Sequence, residues 1–499
     1  TMLLGVDLGT SSMKAMLFDE ELGRVVGIAR EPISIRLTSP DRAEADPEAL
    51  WTTLVEVLSN LRSSHPAEFA EISAVGLSTI FPALVPMAAD GRALHPAILY
   101  CDHRSVPQVE DLAESFGRER FETLTANKLT PGTCTLPGIL WLRDEEPGIF
   151  AKTHVFGQLS TYFVHRLTGE FVVDRTHVSL SGMARAGAEE EWDAEILGHV
   201  GLDTARLPRI LASSDVAGAL CGAAARDCGL PAGIPVVAGG GDAPLAALGG
   251  GVFDAGKLFV SAGSTDCIMF SADRPPSNPV FCSIHCALPD LWVANGTMST
   301  AGASVKWFCE QFIRCTPEQM TEWAAEAPSG SKNLLFLPYL QGERTPWWDP
   351  SACGAFFGLT LGVDRACACR AVFEGVACGW RQIISLLEKE FETVAPEVLC
   401  VGGGSANPLW NRIKATLLGR PVRMLEVPEI SSLGACLIAG LGGGSFASVE
   451  EARSAVTSWS ESVVFEPVPE WADSLENTYG RYLRLYPAMQ PLFSGRDAL

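Results

Sequence analysis

The chain has 499 residues, and single hydrophobic cores stop growing near roughly 250 to 300, so two substantial domains are expected with a ligand cleft between them. A hydrophobic fraction of 47% with 19% charged residues belongs to a globular chain and excludes a disordered or low-complexity one. Against 37 Lys and Arg stand 59 Asp and Glu, a formal charge of -22 with no basic run to offset it, which excludes nucleic-acid and membrane-surface binding as functions.

In chain order, Met2 to Asp7 and Met13 to Phe18 predict two strands joined by the tight turn Leu8-Gly9-Thr10-Ser11-Ser12, with a third strand near Val25 to Ile28. Asp46, Pro47 and Glu48 supply an N-cap, an N1 proline and a first-turn acid. Leu50, Trp51, Leu54, Val55, Leu58 and Leu61 then recur at helical spacing. Ile72 to Ser78 is another apolar strand, and the alternation of strands and helices that follows predicts an α/β layered domain. The Gly-rich stretch from Pro231 to Gly256 ends that alternation. Lys257 to Ser261 and Asp266 to Phe270 then form a second predicted hairpin around Ala262-Gly263-Ser264-Thr265. Its likeness to the first hairpin is a weak internal repeat, as two domains of one fold would show. Val398 to Val401, Gly402 to Gly404 and Leu409 to Leu418 predict strand, glycine turn and helix, and a helical tail covers Trp471 to Tyr486. The most apolar long stretch, Ile234 to Phe253, is broken by Asp242 and glycines, and Asp7 sits within the apolar N-terminus, so neither a membrane span nor an export signal is expected. With fifteen cysteines, an odd number, the expected location is the reducing cytoplasm.

Turns built from Gly with Thr and Ser offer backbone N–H groups and hydroxyls that suit phosphate oxygens, although Gly9 alone can equally serve a turn dihedral. Asp7 ends a strand before the first turn, and Asp242 follows Gly239 to Gly241 at the end of Val236 to Ala238. Carboxylates so placed can hold magnesium or accept a proton from an attacking hydroxyl; for Asp242 a helix N-cap is the alternative. Cys282, His285 and Cys286 lack a second Cys/His pair at zinc-like spacing and are expected to be packed thiols with a histidine rather than a metal site. No Gly-x-x-x-x-Gly-Lys-Ser/Thr and no Gly-x-Ser-x-Gly occurs, so the P-loop and α/β-hydrolase classes are set aside.

Gly5-Val-Asp7-Leu-Gly9-Thr10-Ser-Ser-Met-Lys14 resembles the first phosphate motif of the FGGY carbohydrate kinases, relatives in fold of hexokinase, actin and Hsp70. A more specific resemblance is Leu337-Pro338-Tyr339-Leu340-Gln341-Gly342-Glu343-Arg344-Thr345-Pro346, continuing through Asp349-Pro350 to Gly354-Ala355-Phe356-Phe357-Gly358-Leu359. Leu140-Trp141-Leu142, Leu167-Thr168-Gly169-Glu170, Glu374-Gly375 and Gly402-Gly403-Gly404-Ser405 with Asn407-Pro408-Leu409-Trp410 extend the likeness over residues 2 to 485. It implies two ribonuclease-H-like α/β domains, assigned to residues 1–245 and 246–499, with ATP and Mg2+ in the cleft between them. It also implies that Asp242 is the catalytic base and that Asp7 is a magnesium-side carboxylate, with Asp242 itself near the metal. Gly9, Thr10, Ser11 and Lys14 fall in the first phosphate loop and Gly263, Ser264 and Thr265 in the second. Gly302, Lys306, Gly403 and Asn407 fall where the family contacts nucleotide.

Departures gather on the sugar side. Ile80-Phe81-Pro82 stands where xylulokinases resemble one another in Gln-Met-His and glycerol kinases in Gln-Arg-Glu, while Tyr100, Asp102 and Arg104 keep the aromatic, acidic and basic pattern of the family's Trp-x-Asp-x-Arg segment. For these three a surface turn with a local ion pair is the alternative. Gly138 replaces a common Lys, Ala243 a common Gln after the base, and Cys367-Ala368 interrupts the second signature. The expected reaction is ATP-dependent phosphorylation of a small carbohydrate, xylulose first, with gluconate, ribulose or a polyol as alternatives. An actin-like or Hsp70-like nucleotide-binding regulator is the rival from another class. The expected partner is a small carbohydrate, with neither nucleic acid nor membrane, and a homodimer is left open.

Overall fold

The computed structural model describes residues 1–457 and 461–493. They form two compact α/β units. One comprises Thr1–Phe253, Asp273–Val293 and residues 428–457, the other Asp254–Ala272, Ala294–Val427 and residues 461–493. Where the sequence offers a single cut after residue 245, two later segments return to the first unit, because contacts rather than chain order decide which sheet a segment covers.

The main sheet of the first unit runs Val216–Ala219, Pro235–Val237, Ile72–Thr79, Met2–Leu8, Ser12–Asp19 and Arg24–Pro32, and Gly240–Gly241 also pairs with Ile72–Thr79. Met2–Leu8 is buried along its whole length, as a continuous apolar run in a covered sheet should be. The opening meander is antiparallel, with Asp7 opposite Lys14. Ile72–Thr79 is parallel to Met2–Leu8, which sets Asp7 beside Ser78, and parallel to Gly240–Gly241, which sets Gly241 beside Thr79. Three strands pointing the same way therefore bring Asp7 and the residue after Gly241, Asp242, to neighbouring carboxyl ends, where α/β sheets place their ligands.

Helix Pro47–Ser64 starts as its sequence dictates: Asp46 accepts the Glu48 N–H at 3.0 Å, and Leu50, Trp51, Leu54, Val57, Leu58 and Leu61 are buried. A second, antiparallel sheet runs Arg36–Ser39, Arg42–Ala45, Ala97–Leu99, Ala83–Met87 and Val155–Gln158. The segment Ile80-Phe81-Pro82 leads from Ile72–Thr79 into Ala83–Met87, between the two sheets.

Helix Ile430–Gly443 packs closely on the main sheet at three glycines. A Cβ on Gly5 would lie 2.1 Å from the Ser432 carbonyl oxygen, one on Gly76 2.1 Å from that of Ala435, and one on Gly434 2.0 Å from that of Leu245 in helix Asp242–Gly249. Only glycine permits this approach of backbone to backbone.

In the second unit Asp266–Ala272, Leu258–Ser261, Val398–Val401, Val422–Glu426 and Glu461–Phe465 lie side by side. The expected second hairpin is present, with Ser261 opposite Cys267. Asp364 caps the long helix Arg365–Phe391 by accepting the Cys367 N–H at 2.9 Å. Among the described residues no helix is long and apolar enough to cross a membrane.

Gly434→Ala drives a methyl into a carbonyl and should lower unfolding stability by about 1–3 kcal/mol, the usual range for overpacking. Gly480 lies within helix Ala472–Met489 with nothing within 4 Å of an added Cβ, so Gly480→Ala should raise stability by about 0.5–1 kcal/mol. Denaturant midpoints of the two variants check the contrast; equal effects would show that the close approach is not a constraint.

Candidate active site

At the strand ends of the first unit, Asp7 is buried and both its oxygens are engaged: Oδ1 accepts the Ser78 hydroxyl at 2.6 Å and Oδ2 the Lys14 ammonium at 3.2 Å. Lys14 also pairs with Glu429 at 3.1 Å, and Glu429 is held in turn by Arg30. Asp242 is the first residue of helix Asp242–Gly249, with Gly241 at the cap position, and its Oδ1 accepts the Ala243 N–H at 2.8 Å. The N-cap alternative therefore does not describe it. Burial, then the charge of Asp7, pushes the Asp242 carboxyl up to about 7, with Ala243, His177 and Lys14 opposing. In the turn itself Gly9 donates its N–H to the Ser12 carbonyl at 3.1 Å, and Thr10 and Ser11 are exposed.

Ile80 and Pro82 are buried and Phe81 is half-buried. A cavity beside them is lined by Pro82, Leu84, Ile98, Leu99, Asp102 and Gly138, among others, so two of the departures from the family pattern, Pro82 and Gly138, face one space. Asp102 and Arg104 form a buried pair rather than a surface one. Asp102 accepts the Ala43 N–H at 2.7 Å and the Arg104 Nε and Nη2 at 2.9 and 2.8 Å, and Arg104 Nη2 reaches Glu44 at 2.7 Å. The guanidinium lies 4.8 Å from the centre of the Trp141 ring, and its Nη1 is buried with no hydrogen-bond partner among the described residues. Tyr100 is exposed. The Asp102 carboxylate is thus saturated by its own neighbours and shapes the wall before it can serve a ligand.

In the second unit Gly263 donates to Asp266 Oδ1 at 2.9 Å, and Thr265 Oγ1 donates to the Ser299 carbonyl at 3.0 Å. Gly302, Ala301 and Ala303 donate their N–H groups back to the hairpin carbonyls of Gly263 and Ser264, and a Cβ on Gly302 would lie 2.4 Å from the Gly263 oxygen. Gly302 is therefore welded to the second turn, whereas the Lys306 side chain is exposed and 4.0 Å from Glu310. Gly403 is exposed. Asn407 caps Pro408–Leu418 by accepting the Trp410 N–H at 3.1 Å and donates to Thr321 at 2.8 Å, so its amide is already engaged. Beneath the turn, Asp266 accepts the Trp380 indole N–H at 2.6 Å, and the buried Lys414 ammonium stands 3.8 and 4.1 Å from the Trp380 and Trp410 rings. Glu343, of the most specific motif, is pushed up to about 7 by burial although it accepts the Ser299 and Arg344 N–H groups.

Sequence reasoning missed Glu429, which reaches Lys14 from 415 positions away with no local signal, and the cluster Asp174, Thr176 and His177. An Asp followed two and three positions later by Thr and His at a helix start was the signal available for the latter. His285 donates Nδ1 to the Cys286 carbonyl at 2.6 Å, burial pushes the Cys286 thiol up to about 12, and no group of three or more metal-binding side chains gathers among the described residues.

Comparison with known proteins matches residues 2–249 to the N-terminal domain and 258–442 to the C-terminal domain of the FGGY family of carbohydrate kinases. A xylulose kinase of Escherichia coli strain K12 is 30% identical over 444 residues, covering 88% of this chain and 89% of the relative. A gluconokinase of Bacillus subtilis strain 168 is 27% identical over 87% and 86%. The crystal structure of xylulose kinase from Rhodospirillum rubrum superposes with a TM-score of 0.92 at 27% identity, over 99% of this chain and 100% of that one.

Asp7→Asn removes the charge that repels ionised Asp242 while leaving the burial, so the Asp242 carboxyl should titrate below about 7 yet above its ordinary value of 3.8. Carbon-13 NMR of labelled aspartate checks this; an unmoved or raised titration would remove the electrostatic link between the two residues.

Proposed function

The chain belongs to the FGGY family of carbohydrate kinases, and from that premise we propose that it transfers the terminal phosphoryl group of ATP to a hydroxyl of xylulose, with Asp242 as general base. The observation that carries the assignment of the base is a carboxylate at a strand end, beside Asp7, whose proton affinity burial and charge have raised to about 7. A base titrating near the operating pH combines a usable ionised fraction with real affinity for the proton it must take. Asp242 removes the hydroxyl proton as the new O–P bond forms and the bond to the ADP oxygen breaks, and the proton passes from Asp242 to solvent after release. Membership of a carbohydrate kinase family weighs against the rival regulator.

Asp7 and Asp242 suit a divalent cation, because two carboxylates close enough for one to raise the other gain by a positive charge beside them. Mg2+ held there would neutralise charge on the phosphates in this loose transition state. Lys14, tethered by Glu429, adds a fixed positive charge on the same edge; the hydroxyls of the exposed Thr10 and Ser11 suit phosphate oxygens, and Gly9 shapes the turn with its own N–H given to Ser12. In the second unit the Gly263-Ser264-Thr265 turn is of the same kind, with Ser264 the hydroxyl bearer left free among the described residues: Gly263 and Thr265 spend their donors on Asp266 and Ser299, and the helix starting at Gly302 braces the turn. The exposed Gly403 suits a nucleotide base lying against bare backbone, Lys306 an anionic group, and Asn407 supports that turn as a cap.

On the acceptor side Ile80, Phe81 and Pro82 offer no hydrogen bonds, and a buried sugar hydroxyl left unpaired costs about 1–3 kcal/mol. Tyr100, the leftover Arg104 nitrogen and the shape of this wall, which the Asp102–Arg104 pair fixes, must then select the acceptor. Gluconate is the second reading, favoured by the gluconokinase relative and by the unpartnered, buried Arg104 Nη1, a donor that a carboxylate would satisfy.

Asp242→Asn should keep ATP binding and lose about 10²- to 10⁴-fold in kcat. Only ionised Asp242 accepts a proton, so kcat/KM for the acceptor should fall as pH drops through the Asp242 titration, which burial and Asp7 raise and a bound cation lowers, and this limb should vanish in the variant. ADP release measured with pentuloses, hexuloses, polyols and aldonates checks both points. Undiminished turnover by Asp242→Asn would refute the base, and preference for an aldonate would replace xylulose by gluconate.

A further inference from the structure

Asp174 is wholly buried at the N-cap of the short helix Arg175–Ser179, and every bond it accepts comes from the next three residues. Its Oδ1 takes the N–H groups of Thr176 and His177 at 2.9 and 3.2 Å together with the Thr176 hydroxyl, and its Oδ2 takes His177 Nδ1 at 2.6 Å. An ionised carboxylate only accepts, so Nδ1 donates. On the other side of the ring, Nε2 and the Thr79 hydroxyl share a hydrogen bond at 2.9 Å. The Thr176 hydroxyl has likewise given its hydrogen to Asp174, and its oxygen accepts the Gly241 N–H at 2.7 Å.

One carboxylate therefore orders two chains of hydrogen bonds that end on different edges of the candidate site. Thr79 is the last residue before Ile80-Phe81-Pro82, and Gly241 is the last before Asp242. The two edges also touch. Thr79 and Gly241 are register partners, the Phe81 ring lies 5.3 Å from the His177 ring, and a Cβ on Gly241 would lie 2.5 Å from Phe81. Asp174, Thr176, His177 and Thr79 are each at most 1% exposed, so water does not compete for these bonds. A core that needed only to satisfy its polar groups would have no cause to spend both relays on the residues flanking the base and the wall. A displacement of about 1 Å at a reacting group can cost roughly 100-fold in rate.

We propose that Asp174, Thr176 and His177 are positioning residues for phosphoryl transfer: Thr176 sets the Gly241–Asp242 edge that carries the base, and His177 sets Thr79 and Phe81, the edge that selects the acceptor. The proposal rests on Asp242 acting as the base and on Ile80-Phe81-Pro82 facing the acceptor. Its signature is a division of labour. Loss of the Thr176 hydroxyl disturbs kcat, and loss of the imidazole disturbs KM and the order of acceptor preference.

Steady-state kinetics of the full chain with ATP and the acceptor panel test it, using Thr176→Val, Thr176→Ser, His177→Gln and Asp242→Asn, with thermal midpoints recorded for each. Thr176→Val should lower kcat by roughly ten-fold or more, with acceptor KM changed less than about two-fold, and Thr176→Ser, which keeps the hydroxyl, should recover most of the loss. His177→Gln should raise acceptor KM by roughly ten-fold, the size of about 1.4 kcal/mol, and reorder the acceptors, with KM for ATP unchanged. Folded Thr176→Val with wild-type kcat, or His177→Gln with unchanged acceptor KM and ranking, overturns the proposal. If Thr176→Val does not fold, the His177→Gln arm decides alone. An active Asp242→Asn would instead overturn the assignment of the base, so the two failures are distinguishable.

Discussion

The contact of helix Ile430–Gly443 with the main sheet, backbone against backbone through Gly5, Gly76 and Gly434, is the constraint on which the first unit depends. The helix comes from more than 400 positions beyond Met2–Leu8, and at these glycines backbone meets backbone with no Cβ to adjust the fit. It lies against Met2–Leu8, against Ile72–Thr79 and, through Gly434, against helix Asp242–Gly249. Those three elements carry Asp7, Ser78 and Asp242. Glu429, immediately before the helix, is thereby delivered to Lys14 and Arg30. Packing and electrostatics are one arrangement here: the helix that closes the core also tethers the cation of the first hairpin.

The two carboxylates at the strand ends are treated differently by their surroundings. Asp7 receives a hydroxyl and an ammonium. Asp242 receives one local N–H and is otherwise partly buried near its partner's charge, so its proton affinity rises. Neighbouring acids with such different partners can divide the tasks of holding charge and moving a proton. In a chain carrying -22 overall, Lys14 is a cation set directly beside Asp7 and Glu429.

The wall around Pro82 is organised by shape. Pro82 and Gly138, both departures from the family pattern, line the same cavity, so loss of a polar group from the wall coincides with loss of a long side chain opposite. Asp102 and Arg104 keep their identities but spend most of their hydrogen bonds on Ala43, Glu44 and each other. The pair stiffens the wall, and a single guanidinium nitrogen is left over.

By itself the amino-acid sequence determined whatever is local. The Met2–Leu8 hairpin follows from apolar runs around a Gly-Thr-Ser turn, the start of Pro47–Ser64 from Asp46 and Pro47, and the second hairpin from the same pattern around Gly263. Family membership was legible too, because the Pro338 to Pro346 motif is contiguous in the chain. The tertiary structure alone decided which residues stand behind these. Glu429 beside Lys14, Asp174 behind both Thr79 and Gly241, Gly76 under Ala435, and a buried rather than superficial Asp102–Arg104 pair all join segments separated in the chain or depend on what covers them. Hydrogen-bonding type and spacing specify a turn or a cap within a few residues. The partner of a buried charge is chosen only when packing brings distant backbones together, since removal from water is what makes that choice energetically decisive.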